Sequence, residues 1–285
     1  MKRITLKSPA KLNLFLKVKN KRLDGYHNLV TLFERIDLFD EIELIPNKTG
    51  LIRILCRHPH VPKGPSNLVY KAAKLLRDDF SLEGGVNIKI IKRIPVAAGL
   101  GGGSSNAATV LLGLNKLWNL SLSRPALVAY AKRLGSDVPF FMYDCSGAIG
   151  TQRGDKIRRL FLKRKSWHIL IVPRLKVYTR EIFGALNLQL TKKDGNVNIL
   201  HRALRKNNLP QIGSLLLNDL ETTIVQFHPN LLKIKEKLKK LKVKGVLFSG
   251  SGPSIFGLTE TKKEAEGLKV ILSKQYRQVF VVGTC

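Results

Sequence analysis

The chain has 285 residues, with 50 lysines and arginines against 20 aspartates and glutamates, a formal net charge of +30. Its 44% hydrophobic and 25% charged residues are ordinary for a globular protein, and a chain this long buries a core without covalent staples, which excludes extensive disorder. Cys56, Cys145 and Cys285 are odd in number, far apart and without a Cys-x-x-Cys pair, which excludes a disulfide framework or zinc module and fits a reducing compartment.

A surface this basic suits polyanions: nucleic acid, an acidic membrane or phosphorylated small molecules. Lys7, Lys11 and Lys17 interrupt any apolar signal core at the N-terminus. The longest uncharged stretch, 94–115, could span a bilayer by length, but its glycines, Pro95, serines and asparagines make a poor membrane helix. A cytoplasmic protein is expected.

In chain order, alternation predicts strands over 2–7 and 11–19, the second with apolar residues at 12, 14, 16 and 18. A turn at Leu23-Asp24-Gly25-Tyr26 leads to strand regions 29–45 and 51–57. Residues 67–80 read as a helix with Leu68, Ala72, Leu75 and Leu76 on one face, and Gly84-Gly85 precedes a strand over 86–91. A glycine-rich turn then opens an apolar helix over 104–118. A second helix, 123–134, has Ser123 at its N-cap and Gly135 at C′. Strands around 146–152, 156–162 and 167–173 lead to helices at 179–187, 197–206, 210–215, 229–242 and 261–274, with strands at 245–249, 254–259 and 278–282. Gly147, Gly150 and Gly154, followed by the basic run Lys163-Arg164-Lys165, mark a boundary. The expectation is two α+β domains, 1–160 and 161–285.

The most informative segment is Pro95-Val96-Ala97-Ala98-Gly99-Leu100-Gly101-Gly102-Gly103-Ser104-Ser105-Asn106. Glycines let backbone N–H groups approach an anion, and the helix that follows adds its positive end and unpaired donors. Ser104 and Ser105 offer hydroxyls to phosphate or Mg²⁺, and Asn106 an amide. The chain has no Gly-Lys dipeptide, so this is not a Walker A loop, and no G-x-G-x-x-G register fits. A tight packing turn is the competing explanation. Alanine tolerates Ala97 and Ala98 cheaply only if both are extended, so strand-like geometry is expected there. His58-Pro59-His60 has no nearby carboxylate in sequence and reads as a surface loop. The lysine-rich segment 231–244, with Leu231, Ile234, Leu238 and Leu241 on one face, reads as a packed helix with a solvated outer side.

Pro9-Ala-Lys-Leu-Asn-Leu14, the glycine loop and Ser249-Gly-Ser-Gly-Pro-Ser254 resemble the three motifs of the GHMP kinases. The resemblance runs from about residue 3 to residue 260. It implies a two-domain α+β fold, with an N-terminal ribosomal-protein-S5-domain-2-like domain, a C-terminal ferredoxin-like α/β domain and an active site in the cleft between them. It also implies ATP as co-substrate and Mg²⁺. Asp24-Gly-Tyr-His27, Gly135-Ser-Asp-Val-Pro-Phe-Phe141 and Asn218-Asp-Leu-Glu221 resemble members that phosphorylate the 2-hydroxyl of a cytidine diphosphate-linked polyol on the non-mevalonate route to isoprenoid precursors.

Carried over residue by residue, the resemblance makes Asp137 the catalytic base and Lys11 its electrostatic partner. Asn13, two residues from Lys11 and therefore on the same strand face, becomes a substrate contact. Tyr26 and His27 hold the cytosine, with Phe183 and Thr179 as looser correspondences. Asn67, Lys92 and Asn106 match adenosine-holding positions, and the loop 95–106 binds the phosphates. No metal ligand is assigned, and a monomer or homodimer is expected. Homoserine or mevalonate as acceptor is the alternative within the family. Nucleic-acid binding is the alternative outside it, motivated by charge but lacking an arginine-rich arm, aromatic RNA-binding signature or zinc finger.

Overall fold

A computed structural model describes residues 3–162, 165–188 and 195–285, so Lys163 and Arg164 of the expected boundary run lie outside the described residues. The chain forms two compact units. One comprises Met1–Ala10, Leu38–Val96 and Gly101–Asp144; the other comprises Lys11–Asp37, Ala97–Leu100 and Cys145–Cys285. A single cut at residue 160 does not coincide with this division: Lys11–Asp37, Ala97–Leu100 and residues 145–160 count with the later part of the chain.

The first unit takes the start of β1 (Ile4–Lys21) and the end of β2 (His27–Asn47), then β3 (Ile52–Cys56), α1 (Leu68–Asp79), β4 (Gly85–Ile91), α2 (Gly102–Leu117), α3 (Arg124–Leu134) and the short α4 (Val138–Phe141). β4 pairs antiparallel with β2, Glu41 opposite Ile91 through Asn47 opposite Gly85, and parallel with β3. A parallel neighbour needs a crossover, and α1 lies between the two in sequence. Alternation builds β3: Ile52, Ile54 and Cys56 are buried, Arg53 and Leu55 exposed. α2 starts on an apolar run, and Ala107, Ala108, Val110, Leu111 and Leu114 are all fully buried. Each large side chain so removed from water contributes about 1.5–3 kcal/mol before entropy is counted.

The second unit takes the remaining lengths of β1 and β2 and adds β5 (Gly147–Thr151), β6 (Lys156–Leu160), β7 (Trp167–Ile171), α5 (Thr179–Gly184), α6 (Val197–Lys206), α7 (Leu209–Leu215), β8 (Leu217–Asn218), α8 (Glu221–Phe227), α9 (Asn230–Lys240), β9 (Gly245–Phe248), β10 (Ile255–Thr259), α10 (Lys262–Ser273) and β11 (Val279–Gly283). β2 pairs with β5, β5 with β6, and β1 with β8. A separate antiparallel sheet runs β11-β7-β10-β9. Its strand β10 is buried throughout, as an uninterrupted apolar run predicts. Helices including α8, α9 and α10 supply apolar faces to the core: Ile224, Leu231, Ile234, Leu238, Leu268 and Leu272 cluster with Phe248 and Ile255. The lysine-rich helix is thus packed on its apolar side, as expected.

The two N-terminal strands are one continuous strand, since Ser8-Pro9-Ala10 does not interrupt it. The short elements α4, α8 and β8 were not anticipated. Ser123 caps α3 through its side chain to Ala126 N, but Gly135 at the other end is extended at φ 167°, so that glycine is not a left-handed cap. Among the described residues no helix is long and apolar enough to cross a membrane.

Candidate active site

In the second unit, β1 brings Lys11 and Asn13 to the same side by their spacing of two. Both are buried. Lys11 Nζ donates to Asn13 Oδ1 at 2.5 Å and to the carbonyl of Gly99 at 2.8 Å. Asn13 Nδ2 donates to Thr31 Oγ1 at 2.8 Å, and Thr31 Oγ1 donates to the Phe15 carbonyl at 2.7 Å. The turn between β9 and β10 closes on this group. Ser249 Oγ donates to Gly99 O at 3.0 Å and accepts from Asn13 N at 3.3 Å. A Cβ on Gly250, which has φ +57°, would lie 3.3 Å from Lys11 Nζ. Asn218 fixes the turn from behind, donating to the carbonyls of Phe248 at 3.0 Å and Gly250 at 2.7 Å. This turn is a hairpin connection, with Ser249 N bonded to Ser254 O, and it also frames Lys11. Ser249 and Asn218 stood only inside quoted motifs in the sequence; their contacts with Gly99 and Gly250 make them part of the site.

The same unit assembles the aromatic group. His27 and Phe183 have ring centroids 5.4 Å apart, and Thr179 Oγ1 lies 2.8 Å from Ser251 Oγ. Burial, helped by Lys21, lowers the pKa of His27 and favours the neutral ring. Tyr26 is half exposed at the hairpin tip, with the Arg153 guanidinium 5.0 Å over its ring. Arg153 is held in turn by Asp155 at 2.8 Å.

In the first unit, Lys92 and Asn106 meet at a residue the sequence did not single out, Asp40. Lys92 Nζ sits 2.5 Å from Asp40 Oδ2, and Asn106 Nδ2 donates to the same oxygen at 2.9 Å and to Ser8 Oγ at 2.9 Å. Ser105, fully buried, shares a hydrogen bond with Ser8 at 2.8 Å, and its N–H bonds Gly101 O. Its hydroxyl therefore points into the protein, whereas Ser104 remains half-exposed at the first turn of α2. Asn67 is the N-cap of α1, its Oδ1 accepting from Val69 N at 2.9 Å and its Nδ2 donating to Pro62 O at 2.6 Å. Asp137 is half-buried at the N-cap of α4 and makes no side-chain cap bond there.

The loop itself alternates in hand: Ala97 has φ +54°, Gly99 +75° and Gly101 +68°. The expectation of extended geometry at Ala97 is thus overturned. Gly101 is the left-handed N-cap of α2, without a side-chain cap bond. The first N–H groups of a helix have no partner within it, and a 16-residue helix of this kind presents its positive end there. Among the described residues no cluster of three or more histidines, cysteines or acids could hold a metal ion. His58 and His60 form a ring pair with centroids 5.8 Å apart. A cavity of about 360 Å³ is lined by residues of α7, α9 and β9 with Glu221 and Asn218, the residue that fixes the turn from behind; none of the other site residues lines it.

Two sequence models match the chain, GHMP kinases N terminal domain over residues 67–145 and GHMP kinases C terminal over 200–278. Fold and motif thus define a small-molecule kinase of the GHMP type. The 4-diphosphocytidyl-2-C-methyl-D-erythritol kinase of Exiguobacterium sibiricum is 39% identical over 279 residues, covering 98% of this chain and 97% of that protein. The kinase of the same name from Bacillus subtilis is 40% identical over 280 residues, covering 98% and 96%. A solved 4-(cytidine 5'-diphospho)-2C-methyl-D-erythritol kinase superimposes with a TM-score of 0.84 at 34% identity, covering 99% of this chain and all of that one. A homoserine kinase from Cytophaga hutchinsonii shares the fold, with a TM-score of 0.75 at 19% identity over 99% of this chain and 94% of that one. The chain belongs to the 4-diphosphocytidyl-2-C-methyl-D-erythritol kinase family of the GHMP kinases.

Proposed function

We propose that this chain transfers the γ-phosphoryl group of ATP to the 2-hydroxyl of 4-diphosphocytidyl-2-C-methyl-D-erythritol, giving the 2-phosphate and ADP on the methylerythritol phosphate route to isoprenoid precursors. The nearly full-length likeness to kinases of that name carries the assignment. In this reading residues 1–160 form the domain with the phosphate loop and 161–285 the C-terminal kinase domain, acting in the cytoplasm as a monomer or homodimer.

Phosphoryl transfer to an alcohol asks for a phosphate cradle, charge neutralisation and a group that orients or deprotonates the hydroxyl. The loop 95–106 is the cradle, through backbone N–H groups at the start of α2 and the Ser104 hydroxyl. Asp137 takes the proton of the 2-hydroxyl, and Lys11, held in place by Asn13 and Gly99, stabilises the alkoxide as it develops. Asn13 contacts the acceptor. Tyr26, His27 and Phe183 enclose the cytosine, with a neutral His27 able both to donate to and accept from the base edge; Thr179 closes that side. Asn67 and Lys92 lie toward the adenosine.

The residues fit Mg²⁺ carried mainly by the nucleotide: a half-exposed serine at a helix start suits an ion that keeps several waters and takes few protein ligands. Ser104 would hold it, and the ion would neutralise charge on the transferring phosphate.

The test is product analysis with Mg-ATP and the cytidine compound, with homoserine and mevalonate as competing acceptors. Only the cytidine compound should be phosphorylated. Asp137→Ala should lower kcat by about 10²–10⁴-fold while the protein stays folded. Full activity in that variant would remove Asp137 as the base.

A further inference from the structure

Asp40 lies in β2 and is completely buried. It accepts four hydrogen bonds: Oδ2 from Lys92 Nζ at 2.5 Å and Asn106 Nδ2 at 2.9 Å, Oδ1 from the backbone N–H groups of Arg93 at 2.7 Å and Ile94 at 2.8 Å. A carboxylate has about four lone-pair sites, so this one is saturated. Its partners are the stretch through which the chain leaves β4 for the glycine loop, the lysine at its start, and the second turn of α2. A Cβ on Gly102, the first residue of α2, would lie 3.0 Å from Lys92 Nζ, so the ammonium stands directly beside the helix start. A buried, fully bonded carboxylate of this kind is expensive to keep unless each partner is held.

We propose that Asp40 is a positioning residue for the nucleotide: it fixes Lys92, the Arg93–Ile94 entry to the phosphate loop and Asn106 as one unit, and thereby sets the affinity for ATP. The proposal rests on the reading above that Lys92, Asn106 and the loop face ATP. Asp40 itself acts through these residues and touches no reacting atom.

The charge matters as well as the shape. Only 6% of the Lys92 side chain is exposed, and burial pushes its pKa down, while Asp40 is the leading influence opposing that fall. The other titratable groups around it are Cys56 at the end of β3, which also holds the lysine up, and His58, which feels both Lys92 and Asp40 and is itself lowered by burial and by His60. Removing the negative charge lets burial win, and Lys92 loses its proton at a lower pH.

The experiment compares wild type with Asp40→Asn in ATP and acceptor titrations from neutral to alkaline pH. The variant is expected to raise KM for ATP about tenfold at neutral pH, with a penalty that grows as pH rises. The acceptor KM should stay at its wild-type value and kcat within about threefold of it. Equal losses for both substrates, or an unchanged KM for ATP, would overturn the proposal. Asp40→Glu, which keeps the charge and displaces the carboxylate, serves where the asparagine variant does not fold. It should raise KM for ATP with the wild-type pH dependence, and an unchanged KM would again count against the proposal. Wild-type protein inert toward ATP and the cytidine compound would instead defeat the kinase reading, so the two failures are distinct.

Discussion

Gly99 and Gly103 stand in one loop and are glycines for different reasons. Gly99 has φ +75°, and a Cβ there would meet the carbonyl oxygen of Ser249 at 2.2 Å and that of Gly252 at 2.9 Å. Gly103 has ordinary helical geometry, is exposed, and a Cβ there would meet nothing within 4 Å. The protein's own backbone demands the first glycine. At the second the protein itself makes no such demand, and under the proposed function a nucleotide at the helix start would make it. Tight packing accounts for Gly99, and the proposed phosphate binding would account for Gly103.

The same substitution at both positions tests the contrast. Gly99→Ala should destabilise most, by roughly 3 kcal/mol, the sum of a left-handed alanine and an overpacked contact. Chemical denaturation reads this out, and a loss below about 1 kcal/mol would mean that the Ser249–Gly252 turn can simply move aside. Gly103→Ala should leave stability unchanged or raise it by up to about 1 kcal/mol, since alanine is the better helix former. Its cost should appear as a KM for ATP about tenfold higher, or about 1.4 kcal/mol; an unaltered ATP titration would make this glycine incidental. The smallest effect is expected at Ala97, which pays for a left-handed φ of +54° without being a glycine. Ala97→Gly relieves about 1–2 kcal/mol of strain and returns about 0.4–1 kcal/mol through a freer unfolded chain. A net gain of about 0.5 kcal/mol in chemical denaturation would confirm that Ala97 is strained in this loop, and unchanged or lower stability would count against it.

Much of the fold was legible because periodicity reports which face is buried. β3, α1, β4 and the pair β9–β10 fall where alternation, helical spacing and glycine punctuation put them. The site was legible at residues whose chemistry needs a motif: Lys11 and Asn13 share a strand face by spacing alone. Asp40 was only half legible. In Ile36-Asp-Leu-Phe-Asp-Glu-Ile-Glu-Leu44 it keeps step with Ile36, Leu38, Ile42 and Leu44, so strand alternation puts this carboxylate on the apolar face. Its partners Lys92 and Asn106 lie 52 and 66 positions away in sequence, and no local pattern encodes that approach. Ala97 misled because a side-chain rule gives the cost of a backbone state but cannot see the contacts that repay it. Ser105 misled for a related reason: its hydroxyl was counted with the loop, but the turn of the helix aims it at Ser8. The short elements α8 and β8 escaped because seven and two residues are too few to establish a period.

The interleaving of the two units bears on how the polypeptide is made. Every piece of the first unit has been synthesised once Asp144 is reached. By then β2 residues Thr31–Glu34 still await Gly147–Gly150, and Phe15 and Leu16 of β1 await Leu217 and Asn218, supplied some two hundred residues after them. During that interval the nascent chain carries unpaired strand edges, the kind of surface that recruits other strands. Rapid elongation through β8 should therefore protect this protein from aggregation more than early compaction does. Expressing it as two fragments parted at residue 160 would leave Lys11 in one piece and Ser249, with the turn that frames it, in the other.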